Sequence, residues 1–204
     1  NKKRKFTFRL EQVAKKPASK APAEGALKTL VIAEKPSVAA DIARALGGFT
    51  KHDDYFERDD FIISSAVGHL LEITSPEQFE VKRGKWSFNH LPVIPPYFEL
   101  RPIAKTEGRL KVLQKLIKRK DVGRLINACD AGREGELIFR LIAQYTKAPQ
   151  KVSRLWLQSM TPQAIRDGFG ALRSDADLLN LANAARCRSE SDWLVGINGT
   201  RAMT

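Results

Sequence analysis

The stretch LINACDAGREGELIFRLI, residues 125–142, decides how the chain is read. LINAC at 125–129 is short and apolar enough for a buried strand, and it runs directly into the acidic turn DAGREGE. Leu137, Ile138, Leu141, Ile142 and Tyr145 then recur on one side of a helix. The same order stands earlier: TLVIA at 29–33 is a β-branched run, Pro36 suits a first helical turn, and Val38, Ile42 and Leu46 follow at spacing four until Gly47 and Gly48. FIISSAV at 61–67 reads as a strand, preceded by HDDYFERDD as a connection. A helix is expected near 106–119 with Leu110, Leu113, Leu116 and Ile117 on one side. VSRLWL at 152–157 is strand-like, and Thr161 and Pro162 open a helix bearing Ile165, Phe169 and Leu172. Such alternation predicts an α/β fold, a mainly parallel sheet with helices on both faces. Residues 72–105 read as a long polar loop, and the chain from Ser174 onward as nearly all helix.

Composition agrees with a folded domain. Of 204 residues, 43% are hydrophobic and 28% charged, which excludes wholesale disorder, collagen and a membrane bundle. No apolar run approaches the roughly 18–20 residues that cross a bilayer, and NKKRK at the start is not followed by a secretory segment. Cys129 and Cys187 lie far apart without partners at metal-ligand spacing, which excludes a disulfide scaffold and a zinc site and suits a reducing cytoplasm. The net charge of +12 favours an anionic partner. Half of it comes from residues 1–26, where Lys2, Lys3, Arg4, Lys5, Arg9, Lys15, Lys16 and Lys20 face Glu11 and Glu24. KKPASKAPAEGA at 15–26 lacks the apolar residues that repay ordering, so 1–26 is expected to be a flexible basic arm. A first residue that is Asn and an end at Thr204 inside a helical pattern suggest a piece of a longer polypeptide.

Sites in open parallel sheets lie beyond the carboxyl ends of the strands. Glu34 stands there after the first strand, and Asp130, Glu134 and Glu136 after LINAC. If the two strands are neighbours, these carboxylates converge, and a hard cation such as magnesium is their natural neutraliser, with open positions for phosphate oxygens. Lys35 and Arg133 would add fixed cations for a phosphate. Each cluster alone has a plainer reading, a solvated turn or an acid ahead of a helix N-terminus. Neither GxxxxGK followed by Ser or Thr nor GxGxxG occurs, which disfavours an ATPase or a dehydrogenase. His52, His69 and His90 show no metal spacing, and His69 is read as a structural hydrogen-bonding residue. Trp193 and Trp156 are expected to pack inward, whereas Trp86 in VKRGKW is the more plausible surface aromatic.

AEKPS at 33–37, GHLLE at 68–72, DAGREGELIFR at 130–140 and DWLVGINGTRA at 192–202 together resemble the N-terminal part of type IA DNA topoisomerases, specifically the topoisomerase III branch. The resemblance runs from about Leu27 to Thr204 and leaves out the basic arm. It implies a Toprim domain over 27–172, Rossmann-like, followed at 173–204 by the start of a helical domain that holds single-stranded DNA. By that resemblance Glu34 assists protonation of the 3′ oxygen leaving group and Lys35 steadies the scissile phosphate. Asp130 and Glu134 match the first and last acids of a DxDxE pattern that binds Mg2+, whereas position 132 is Gly where the middle acid would stand. Some topoisomerase III members are similar in having this glycine, which implies more water or phosphate in the metal shell. Arg188 and Asp192 resemble the arginine and aspartate on the helix that grips DNA upstream of the cut.

The reaction implied is an ATP-independent transesterification, in which a tyrosine takes a DNA phosphodiester as a 5′-phosphotyrosyl link, a strand passes, and the free 3′ hydroxyl reverses the step. Tyr55, Tyr97 and Tyr145 lie in nothing that resembles the family's tyrosine motif. The chain is thus expected to supply the acid and metal half of the site. The rest of the topoisomerase chain would bring the nucleophile, and a helicase is a candidate partner. The expected location is cytoplasmic, at the nucleoid in a bacterium. Two other readings stay open on the residues: a Toprim nuclease using metal-bound water, and a non-catalytic nucleic-acid-binding module.

Overall fold

Side chains alternate across a strand, and β1 (Lys28–Ala33) uses both faces. Leu30 and Ile32 point into one apolar cluster, Val31 and Ala33 into another, and all four are fully buried. A strand buried on both sides needs helices on both, and the chain supplies them. The computed structural model describes residues 27–75 and 88–203. The basic arm at 1–26 and Trp86 lie outside the described residues.

In chain order the elements after β1 are α1 (Pro36–Leu46), β2 (Thr50–Lys51), β3 (Tyr55–Glu57), β4 (Phe61–Ser65), β5 (Leu71–Ile73), β6 (Leu100–Pro102) and α2 (Glu107–Ile117). There follow β7 (Val122–Ala128), α3 (Arg133–Thr146), β8 (Lys151–Arg154), α4 (Pro162–Gly170), β9 (Arg173–Ser174) and α5 (Leu179–Met203). Seven strands form one sheet in the order β2-β3-β4-β1-β7-β8-β9. The central four, β4, β1, β7 and β8, run parallel, and antiparallel strands finish both edges. Leu110, Leu113, Leu116 and Ile117 of α2 join Ile138, Phe139 and Ile142 of α3 on the face of Leu30 and Ile32. On the other face, Ala39, Ile42 and Ala43 of α1 and Ile165 of α4 meet Val31, Ala33, Ile63 and Ile126. The α/β class and mainly parallel sheet expected from the sequence are therefore the architecture.

Local chemistry sets the element ends. Pro36 opens α1 and Gly47, at φ 71°, closes it in a conformation that side chains avoid. Thr161 caps α4 by accepting the Ala164 N–H at 3.3 Å, with Pro162 in the first turn, as its sequence predicts. Two readings need correction. HDDYFERDD is not merely a connection, because Tyr55–Glu57 forms β3 against β4; three partly polar residues leave little periodic signal. The stretch 72–105 is not one loop either, since Leu71–Ile73 and Leu100–Pro102 pair as an antiparallel ribbon, β5 with β6. Asn198 of α5 accepts the Val93 N–H at 2.6 Å and donates to the Val93 carbonyl at 3.0 Å, so the GINGTRA motif holds Val93 to α5.

At the amino ends of β1 and β7, Glu57 accepts hydrogen bonds from Lys28 (2.6 Å) and Arg119 (2.7 Å), and Arg119 also donates to Asp121 (2.7 Å). The Arg119 hydrogen bond, with Lys28 adding, holds the Glu57 carboxyl below its ordinary range against the opposing effect of burial. A carboxyl depressed in the folded state contributes stability that is complete above its unfolded value, about 4.3, and is lost as pH falls through the folded value. The urea midpoint should therefore drop between pH 5 and about pH 3, and Glu57→Gln should flatten that limb. An acid limb of unchanged steepness in the variant would show that the network contributes nothing.

Candidate active site at the carboxyl ends of β1 and β7

Because β1 and β7 are hydrogen-bonded neighbours, with Ala33 opposite Ala128, the residues leaving them enter one crevice. Glu34 follows β1, and its Oε2 accepts the Asp130 N–H at 3.4 Å. Lys35 stands next, as the residue ahead of α1, and its Nζ lies 3.2 Å from Asp130 Oδ2. The Gly68 N–H reaches the Glu34 carbonyl at 3.4 Å, which brings GHLLE to the same edge. From that motif His69 Nε2 meets Glu134 Oε2 at 3.2 Å. His69 thus takes a hydrogen-bonding role, and the partner is one of the candidate metal ligands. A cavity of about 560 Å³ opens beside Lys35 and Asp130, walled by Val38, Trp156 and Met160.

The turn between β7 and α3 is shaped by close approach. A Cβ on Gly135 would lie 2.1 Å from the Asp130 carbonyl oxygen, so only glycine lets α3 begin this close to the strand end. Gly132 differs: its backbone is extended, and nothing lies within 4 Å of where a Cβ would be. Position 132 therefore has room for the acid it lacks.

The structure sorts the remaining residues. Arg133 and Glu134 lie exposed in the first turn of α3, where the helix dipole suits an acid. Arg188 and Asp192 pair one turn apart on α5 at 2.6 Å. The Asp192 hydrogen bond holds the Arg188 guanidinium above its usual range, with the Glu134 carboxylate adding to it. The sequence groups Glu136 with Asp130 and Glu134, but the structure separates it: Glu136 is buried under the helix against Arg154, 3.4 Å away. Two positions along a helix turn a side chain to the opposite face, which is the signal that distinguishes 136 from 134. Arg154 has no role in the sequence reading; its mark was a lone arginine inside VSRLWL. Trp193 packs edge-on to Phe98 with centroids 5.8 Å apart, and Trp156 lies under the guanidinium groups of Arg154 and Arg173.

Among the described residues no three His, Cys, Asp or Glu side chains converge closely enough to enclose a metal ion. What stands here is a sparse set of exposed carboxylate oxygens, which fits a cation that keeps waters and takes phosphate oxygens, as magnesium does, and does not fit zinc. Asp130 and Lys35 are each at least half exposed, so their pairing contributes little to stability and leaves both available to a ligand.

Residues 29–160 match the family model described as the Toprim domain. The chain belongs to the Toprim family. Over 178 residues, 87% of its length, this Toprim chain is 44% identical to DNA topoisomerase 3 of Staphylococcus saprophyticus subsp. saprophyticus. Over 177 residues it is 42% identical to DNA topoisomerase 3 of Bacillus subtilis (strain 168). These matches cover 25% and 24% of those proteins, so the chain spans about a quarter of the length of the curated relatives it matches. Full-length topoisomerase I from Thermotoga maritima superposes with a TM-score of 0.47 at 20% identity, over 71% of this chain and 21% of that one. No described helix of the Toprim chain is long and apolar enough to cross a membrane.

Proposed function

We propose that this chain supplies the acid and metal half of a type IA DNA topoisomerase site, acting on single-stranded DNA in the cytoplasm. The observation that carries the reading is the meeting of Glu34, Lys35 and Asp130 across two adjacent parallel strands. In this proposal a tyrosine from outside the chain attacks a DNA phosphodiester: Tyr55 stacks on His52, Tyr145 packs against the core, and the exposed Tyr97, like both, stands in nothing that resembles the family's tyrosine motif. Lys35 leaves Asp130 to hold the scissile phosphate, and Glu34 hands a proton to the departing 3′ oxygen. Asp130 and Glu134 would hold magnesium, which supplies charge neutralisation at the phosphate oxygens. Arg133 adds a fixed cation at that phosphate. Arg188 and Asp192 hold the strand upstream, and α5 is the start of the surface that carries it.

A magnesium titration tests the ligands. Glu134→Ala should weaken binding at least tenfold, in the range seen when a metal ligand's environment is lost, without lowering the melting temperature, whereas Gly132→Asp should tighten it. An unchanged midpoint in Glu134→Ala removes that residue from the site. In a complete topoisomerase containing this chain, Glu34→Gln should leave the titration as it is and slow cleavage by about 10²–10⁴. Cleavage at full rate would remove Glu34 from the acid role, and magnesium-dependent nicking with free 5′ phosphates and no protein-linked DNA would refute the topoisomerase reading.

A further inference from the structure

The most deeply buried charges lie beneath the turn that carries Asp130. Glu136 and Arg154 are each 1% exposed. Glu136 accepts hydrogen bonds from Asn127 Nδ2 at 3.0 Å and from Arg140 Nε at 2.7 Å, and Arg154 Nε lies 3.4 Å from its Oε2. Arg154 directs its outer nitrogens at the backbone: Nη1 donates to the carbonyls of Cys129 (2.7 Å), Asn127 (3.0 Å) and Leu155 (3.0 Å), and Nη2 to that of Asp130 (2.8 Å). Asn127 Oδ1 accepts the Cys129 N–H at 3.0 Å, which closes the set. Packing alone does not call for this arrangement, since an apolar pair of similar volume commonly fills such a place without loss of stability. What the guanidinium provides instead is a planar fork of donors in fixed directions, and three of its four carbonyl partners lie at 127–130.

We infer that the Glu136–Arg154 pair is the positioning device of this site: Arg154 fixes the main chain of Cys129 and Asp130, Glu136 fixes Arg154, and the Asp130 carboxylate is thereby held where Glu34 and Lys35 meet it. Both side chains are buried, so they act on the site through the main chain they hold. The inference rests on the proposed role of Asp130 toward magnesium, yet its first consequence, an ordered 129–135 turn, is independent of any metal.

The test uses the double variant Glu136→Leu/Arg154→Met of the 204-residue chain, in which Arg140 keeps Asp175 at 2.7 Å. It is expected to fold, with amide exchange in β1 and β4 as slow as in the parent and exchange across 129–135 at least tenfold faster. Its magnesium midpoint should rise about 10–100-fold. Arg154→Lys, which keeps the charge but not the fork, should retain the fold and show the same loosened turn. If the double variant does not fold, the lysine variant alone decides. Parent-like protection of 129–135 in the folded variant overturns the inference. A parent chain that binds no magnesium sinks the metal reading while the exchange measurement still decides the positioning role.

Discussion

Gly135→Ala is expected to loosen the start of α3 and to abolish the magnesium response of the site. The added Cβ would stand 2.1 Å from the Asp130 carbonyl oxygen, 2.8 Å from its nitrogen and 3.0 Å from its carbonyl carbon. All three are backbone atoms, so no rotamer change relieves the overlap, and Arg154 Nη2 donates to the same carbonyl at 2.8 Å. Helix propensity by itself favours alanine by about 1 kcal/mol. Overpacking costs typically about 1–3 kcal/mol and more where backbone must move, which places the net loss at roughly 2 kcal/mol. Gly108→Ala in α2 is the control, because nothing lies within 4 Å of its Cβ position, and it should stabilise by up to about 1 kcal/mol. Thermal melts of the two variants check the pair. Equal behaviour would mean that the close approach of α3 to the strand end is not a constraint.

Arg154→Ala is expected to give the largest loss of stability of any single change here. It leaves the Glu136 carboxylate buried with Asn127 and Arg140 as its remaining partners and strands the carbonyls of Cys129 and Asp130. Removing one partner of a buried pair costs about 3–5 kcal/mol. For a chain of this length that is a fall in melting temperature of roughly 6–20 °C. Burial lowers the guanidinium's own pKa, and the neighbouring Glu136 opposes that. A shift below 2 °C, taken as about the smallest that 1 kcal/mol produces, would show that the surrounding backbone satisfies Glu136 without the arginine.

Much of the site can be read along the chain, because its residues follow strands whose apolar runs are unmistakable. TLVIA and LINAC each end on an acid-bearing turn, and parallel strands carry such turns to one edge. Glu34 with Lys35, and Asp130 with Glu134, are found that way. Very short strands are not: β3 and the ribbon of β5 and β6 have three residues per strand, too few for alternation to rise above the surrounding polar residues. The contact of His69 with Glu134 spans 65 positions and leaves no local trace.

Glu136 marks the division most sharply. Composition, periodicity and turn chemistry are local properties, so the sequence by itself determined the α/β class, the helices and their caps, and the two acidic turns. Which neighbour each strand pairs with, and what each acid faces, depend on residues far apart in the chain. Tertiary structure therefore decided that β1 lies beside β7, that Gly135 and not Gly132 is the glycine the turn requires, and that the third acid of DAGREGE turns inward to an arginine on β8. A buried charge is stable only where its partner has been brought to it, and that partner comes from another strand of the sheet.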